Sequence, residues 1–117
     1  MDTKELKKII VKILESKKAI DIDVIDIDKV SILADTFVVC SATSVPHVKS
    51  LVDELEEKLE EIGQRPLRKE GYDTARWVLL DFGNVVVHIF HRDERDYYDL
   101  DSLWKYGLIS HKEEKGE

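Results

Sequence analysis

Apolar residues recur at three- and four-residue spacing through Leu6, Ile9, Ile10, Ile13 and Leu14, with Lys4, Lys7, Lys8, Lys12 and Glu15 between them. That period predicts an amphipathic first helix over residues 4–17. Asp2 and Glu5 have the spacing of a capping box, in which the Asp2 carboxylate accepts from the Glu5 amide. Over residues 21–28 the character changes, and Ile22, Val24, Ile25 and Ile27 are interrupted by Asp21, Asp23, Asp26 and Asp28. β-Branched side chains are stiff and fit a pleated surface, so this stretch predicts a strand centred on Val24 and Ile25. The apolar phase slips between those two residues, which implies partial cover on both strand faces. Phe37, Val38, Val39 and Cys40 form a short continuous apolar run, the signature of a second strand buried on both sides. Ser44 then caps a long helix that tolerates Pro46 in its first turn. Val48, Leu51, Val52, Leu55, Leu59 and Ile62 make its apolar stripe, Gly63 stops it, and its outer face is acidic.

Residues 66–69 predict a short strand, near an edge because Pro66 donates no ladder bond. Gly83-Asn84 between residues 76–82 and 85–91 marks a hairpin with a two-residue turn. In that register Phe82, Leu80 and Val78 face Val85, Val87 and Ile89 on one side. Asp81, Leu79 and Trp77 face Val86, His88 and Phe90 on the other. Both sides are apolar, so the hairpin needs covering twice. From Arg92 onward the pattern is helical and aromatic, with Asp99 placed to cap a short last helix carrying Leu103 and Trp104. The expected organisation is one α/β domain over residues 1–109, a mixed sheet of about five strands flanked by helices, and a polar, disordered tail over residues 110–117.

Composition narrows the function. With 18 basic and 25 acidic residues among 117, the chain carries a net charge of −7. Such a balance disfavours a broad grip on nucleic acid and suits a basic protein partner. No apolar run of about 18 residues occurs, and Asp2 and Glu5 stand where a basic, then apolar, leader would begin, so a cytoplasmic protein with no membrane partner is expected. The lone Cys40 excludes an internal disulfide and a multi-cysteine zinc cage.

Candidate chemistry is sparse. Asp21 and Asp23, or Asp26 and Asp28, are spaced like strand-borne carboxylate pairs that share a magnesium ion. No glycine-bearing phosphate turn precedes them, and strand-end solvation is the favoured role. Cys40 and His47 have the residue types of a nucleophile and base, but Cys40 sits in an apolar run and reads as core. His88 and His91 face opposite sides of a strand and cannot share a metal; Asp81, diagonal to His88, is its candidate hydrogen-bond or ion-pair partner. No catalytic residue, metal or cofactor site is assigned. What remains is a hairpin face mixing Trp77, Leu79, Val86 and Phe90 with Asp81 and His88; either a helix covers it or part of it is a protein-binding patch, since aromatics with a few polar groups mark interface centres.

Several segments carry a family resemblance. They are Asp35-Thr36-Phe37-Val38-Val39-Cys40-Ser41-Ala42-Thr43-Ser44 with His47-Val48, Glu70-Gly71, Ala75-Arg76-Trp77 and Asp81-Phe82-Gly83. Val87-His88-Ile89-Phe90, Arg95, Tyr98-Asp99-Leu100 and Leu103-Trp104 complete the set. Together they resemble the ribosomal silencing factor family, RsfS, also called Iojap. The resemblance implies a fold related to nucleotidyltransferases without their catalytic motif. It also implies a non-enzymatic translational repressor that binds the large ribosomal subunit through the universal ribosomal protein number fourteen (L-fourteen) and sterically blocks the small subunit. A homodimer off the ribosome is a further implied partner. On this reading the contact residues are Glu70, Gly71, Trp77, Leu79, Asp81, Tyr98 and Leu100. Trp77 and Leu79 act as anchors, while Asp81 and Glu70 meet basic side chains. The competing readings are a divergent magnesium-dependent nucleotidyltransferase using Asp21, Asp23 or Asp26, and a dimeric adaptor with another protein target.

Overall fold

The computed structural model describes residues 1–27 and 34–94. Helix α1 spans Thr3–Ser16 and begins where expected, with the Asp2 carboxylate accepting from the Glu5 amide at 2.8 Å. Its buried stripe is Leu6, Ile10 and Leu14. Strand β1 (Ile20–Asp26) pairs antiparallel with β2 (Thr36–Ala42), with an irregularity between Ile20 and Asp23 where Asp21 takes a φ of 51°. The slipped phase of β1 has a direct meaning: Ile22 packs with the main core and Ile25 with a second cluster on the opposite face. Helix α2 (Val45–Glu60) follows, with the Ser44 hydroxyl accepting from the His47 amide at 3.1 Å and Pro46 in the first turn.

Strands β3 (Arg68–Glu70), β4 (Trp77–Asp81) and β5 (Val85–His91) complete a five-stranded sheet in the order β1-β2-β5-β4-β3. Among the described strands only β2 and β5 run parallel, a pairing that requires the long crossover through α2, β3 and β4. The β4–β5 hairpin has the predicted register: Trp77 opposes Phe90, Val78 Ile89, Leu79 His88, Leu80 Val87 and Asp81 Val86. Phe82 donates to the Val85 carbonyl at 2.9 Å to close the turn, and Gly83 holds a φ of +93° there. Strand β3 is short, exposed and at the edge, as Pro66 implied.

Period-two alternation sorts the sheet into two faces. Val38, Cys40, Ala42, Val78, Leu80, Val85, Val87 and Ile89 pack against the stripes of α1 and α2. Both helices therefore lie on one face. The second face holds a separate cluster of Ile27, Ala34 and Val86, flanked by Ile25, Phe37 and Leu79, to which neither helix contributes. Arg95, the segment expected as an Asp99-capped helix with Leu103 and Trp104, the candidate contacts Tyr98 and Leu100, and residues 110–117 lie outside the described residues, as does Asp28.

Candidate functional site

Four of the expected contact residues meet on the second face. Arg68 opposes Asp81 and Glu70 opposes Leu79 across the β3–β4 ladder, so all four side chains leave the sheet on the side away from α1 and α2. Trp77 leaves on the same side, and Gly71 sits just beyond the end of β3. Gly71 has a φ of +85°, and a Cβ there would run into the Trp77 carbonyl oxygen. A glycine is thus required for the backbone to pass the start of β4 and seat Trp77.

Trp77 is held on two sides. Its indole stacks on Phe90 with centroids 5.0 Å apart, and its Nε1–H donates to Nδ1 of His88 at 3.1 Å. This corrects the expectation that Asp81 would engage His88. Asp81 accepts from the Gly83 amide at 2.8 Å and so is drawn into the hairpin turn, leaving the imidazole to the indole on its other diagonal. The ring of Phe37 packs on the imidazole at a centroid distance of 4.5 Å. His88 is only 4% exposed, and burial pushes its pKa down to about 4, so the ring is neutral at physiological pH.

The acids beside this aromatic group are not bare. Arg68 lies 3.3 Å from Glu70 and 3.8 Å from Asp81, bridging the two carboxylates that were expected to meet a partner's basic side chains. Arg68 was missed as a participant. Alternation places residues 68 and 70 on the face shared with Asp81, but only once β3 is paired in register, which the sequence alone does not fix. Trp77, Leu79 and Phe37 remain partly exposed around buried Phe90, His88 and Val86. The arrangement is an aromatic centre with a charged strip along the β3 side.

The alternative sites do not assemble in the same way. Lys7 binds Asp26 at 3.0 Å and the Thr36 hydroxyl donates to it at 3.1 Å; the Lys7 bond chiefly holds its pKa below the usual carboxylate value. Asp26 is thereby tied to α1 and β2. Asp21 and Asp23 flank the irregular start of β1, and among the described residues no three His, Cys, Asp or Glu side chains gather as a metal site would require. Cys40 is fully buried among core residues, whereas His47 clasps two loops: its Nδ1 accepts from the Thr43 amide at 3.0 Å and its Nε2 lies 2.9 Å from the Lys17 carbonyl. These bonds put the His47 proton on Nε2. Among the described residues no helix is long and apolar enough to cross a membrane.

Known proteins agree with this fold. The family described as "Ribosomal silencing factor during starvation" matches residues 1–116. The ribosomal silencing factor RsfS of Bacillus subtilis is 41% identical over 104 residues, covering 89% of this chain and 88% of that protein. The mouse protein named "Mitochondrial assembly of ribosomal large subunit protein 1" is 32% identical over 98 residues, covering 81% of this chain and 43% of its own length. A crystal structure from Chromobacterium violaceum superposes with a TM-score of 0.85 at 36% identity, covering 90% of this chain and 88% of the other. With the family pattern spanning residues 1–116 and a relative 41% identical over most of both chains, the chain belongs to the ribosomal silencing factor family.

Proposed function

We propose that this protein represses translation by binding the large ribosomal subunit through the universal ribosomal protein number fourteen (L-fourteen), so that the bound factor obstructs joining of the small subunit. The observation that carries the reading is the second sheet face. It presents a half-buried tryptophan and leucine over a packed aromatic base, edged by Arg68, Glu70 and Asp81. Partly exposed aromatics with a charged rim are the makeup of a protein interface centre. A net charge of −7 suits a basic ribosomal protein and steers encounter with it. A family named for ribosome silencing and a mouse relative named for the ribosomal large subunit support the choice of partner. The mechanism needs no chemistry: occupancy of a shared surface lowers subunit joining in proportion to the fraction of large subunits bound.

The test has two parts. The protein co-sediments with purified large subunits in a sucrose gradient, and it lowers subunit reassociation followed by light scattering. Absence of co-sedimentation at micromolar protein would refute the ribosomal reading. Binding without any effect on reassociation would refute obstruction.

A further inference from the structure

The Trp77–His88 pair leaves one polar atom unexplained. His88 Nδ1 is used as an acceptor by the Trp77 indole, so the neutral ring carries its proton on Nε2. That Nε2 is buried and has no hydrogen-bond partner among the described residues. Buried donors are nearly always satisfied, and an apolar ring at this position would pack between Phe37 and Trp77 without the cost of an unmet N–H. A histidine here is therefore a burden in the free protein.

We propose that His88 is a specificity-determining residue of the docking face, its Nε2–H reserved for a carbonyl oxygen of the bound ribosomal protein. This rests on the reading of the second face as the docking surface. The two rings flanking the imidazole, Phe37 and Trp77, are both partly exposed, so a docking chain that contacts them is already beside His88. Displacing the Phe37 ring, which packs on the imidazole, opens Nε2 to the partner while the Trp77 bond at Nδ1 is kept. The acceptor is a neutral carbonyl because the aromatic rings around the imidazole would leave a carboxylate desolvated and without a counter-charge. The bond forms in a site that water has left, where a donor without an acceptor is penalised and a correct acceptor is rewarded. Trp77 contributes twice, as an anchor and as the group that fixes the His88 tautomer.

Two substitutions separate recognition from packing. His88→Phe keeps a planar ring and removes both nitrogens. His88→Gln replaces the imidazole with an amide that can both accept from the indole and donate outward. Affinity for purified large subunits is measured by co-sedimentation, with folding checked by circular dichroism and thermal melting. His88→Phe is expected to fold and to bind roughly tenfold more weakly, the scale of one buried hydrogen bond, whereas His88→Gln stays within about threefold of wild type. Proton-detected NMR of ¹⁵N-histidine-labelled protein should show the Nε2-protonated tautomer. Its Hε2 resonance should become protected from exchange when purified L-fourteen is added. Folded His88→Phe that binds like wild type overturns the proposal, as does an equal loss in both variants or a proton found on Nδ1. If Trp77→Ala loses binding while His88→Phe keeps it, the docking face stands and only the role of His88 falls. If the wild-type chain binds neither probe, both fall.

Discussion

The buried imidazole of His88 makes stability depend on pH between its ordinary and its folded pKa. Burial pushes its pKa from 6.5 down to about 4 in the folded protein, while the unfolded chain keeps the ordinary value. Between those two values the unfolded state binds a proton that the folded state refuses. The folded state therefore carries no penalty from this ring above about pH 6.5 and loses stability progressively as the pH falls towards about 4. The full shift of roughly 2.5 pKa units corresponds to about 3 kcal/mol, and the part lost between about pH 7.5 and about pH 5 integrates to about 2 kcal/mol. For a domain of this size, 2 kcal/mol lowers the melting temperature by roughly 8 °C. The acid Asp26 does not confuse the window, because its pKa is lowered from 3.8 and its contribution fades only below that value. Urea unfolding at the two pH values measures the difference directly. His88→Phe carries no titrating ring, so its stability should fall by about 2 kcal/mol less over the same interval. An equal fall in wild type and His88→Phe would show that the imidazole is not held neutral by its surroundings, and the reasoning from burial would fail.

Four further outcomes are expected. Trp77→Ala should lower affinity for large subunits about thirtyfold, or about 2 kcal/mol, in a folded protein; unchanged co-sedimentation would remove Trp77 from the interface. Arg68→Ala releases Glu70 and Asp81 from their shared guanidinium, so association with a basic partner should quicken and Asp81→Lys should slow it, both read by stopped-flow at low salt; the same rate in all three proteins would exclude this strip. Gly71→Ala combines a φ of +85° with a collision at the Trp77 carbonyl and should cost about 2 kcal/mol or more in urea unfolding; a loss under about 0.5 kcal/mol would mean the loop simply relaxes. Replacing Asp21, Asp23 and Asp26 together with asparagine should leave inhibition of subunit reassociation intact, and loss of inhibition with binding preserved would revive a metal-dependent activity.

The readable parts of the sequence were those governed by local rules. Gly83-Asn84 between two alternating runs set the hairpin register, and every pair from Trp77 with Phe90 to Asp81 with Val86 followed from counting outward from the turn. Asp2 and Ser44 announced both helix starts through side-chain oxygens that can satisfy free amides. Pairing choices among several neighbours were not readable. His88 had Asp81 and Trp77 on its two diagonals, and the choice turned on the Gly83 amide taking the carboxylate, which depends on side-chain geometry around the turn. Arg68 was hidden for a related reason. Three residues of edge strand carry too little pattern to fix a register, so its bridge between Glu70 and Asp81 emerges only once β3 is laid against β4.

The strand order has a consequence for how the chain is made. The middle of the sheet, β5, is the last in sequence of the five described strands, and it joins a β1–β2 ribbon on one side to a β3–β4 ribbon on the other. A chain emerging from its N-terminus therefore presents two half-sheets, each with an open edge, until Val85–His91 becomes available. The parallel ladder that closes the gap links residues about fifty positions apart, a long loop to close before any contact repays it. Nascent chains cut short before β5 should stay as two sticky ribbons, prone to pair with strangers and needing chaperone cover. Release of the finished strand is the event that commits the whole fold.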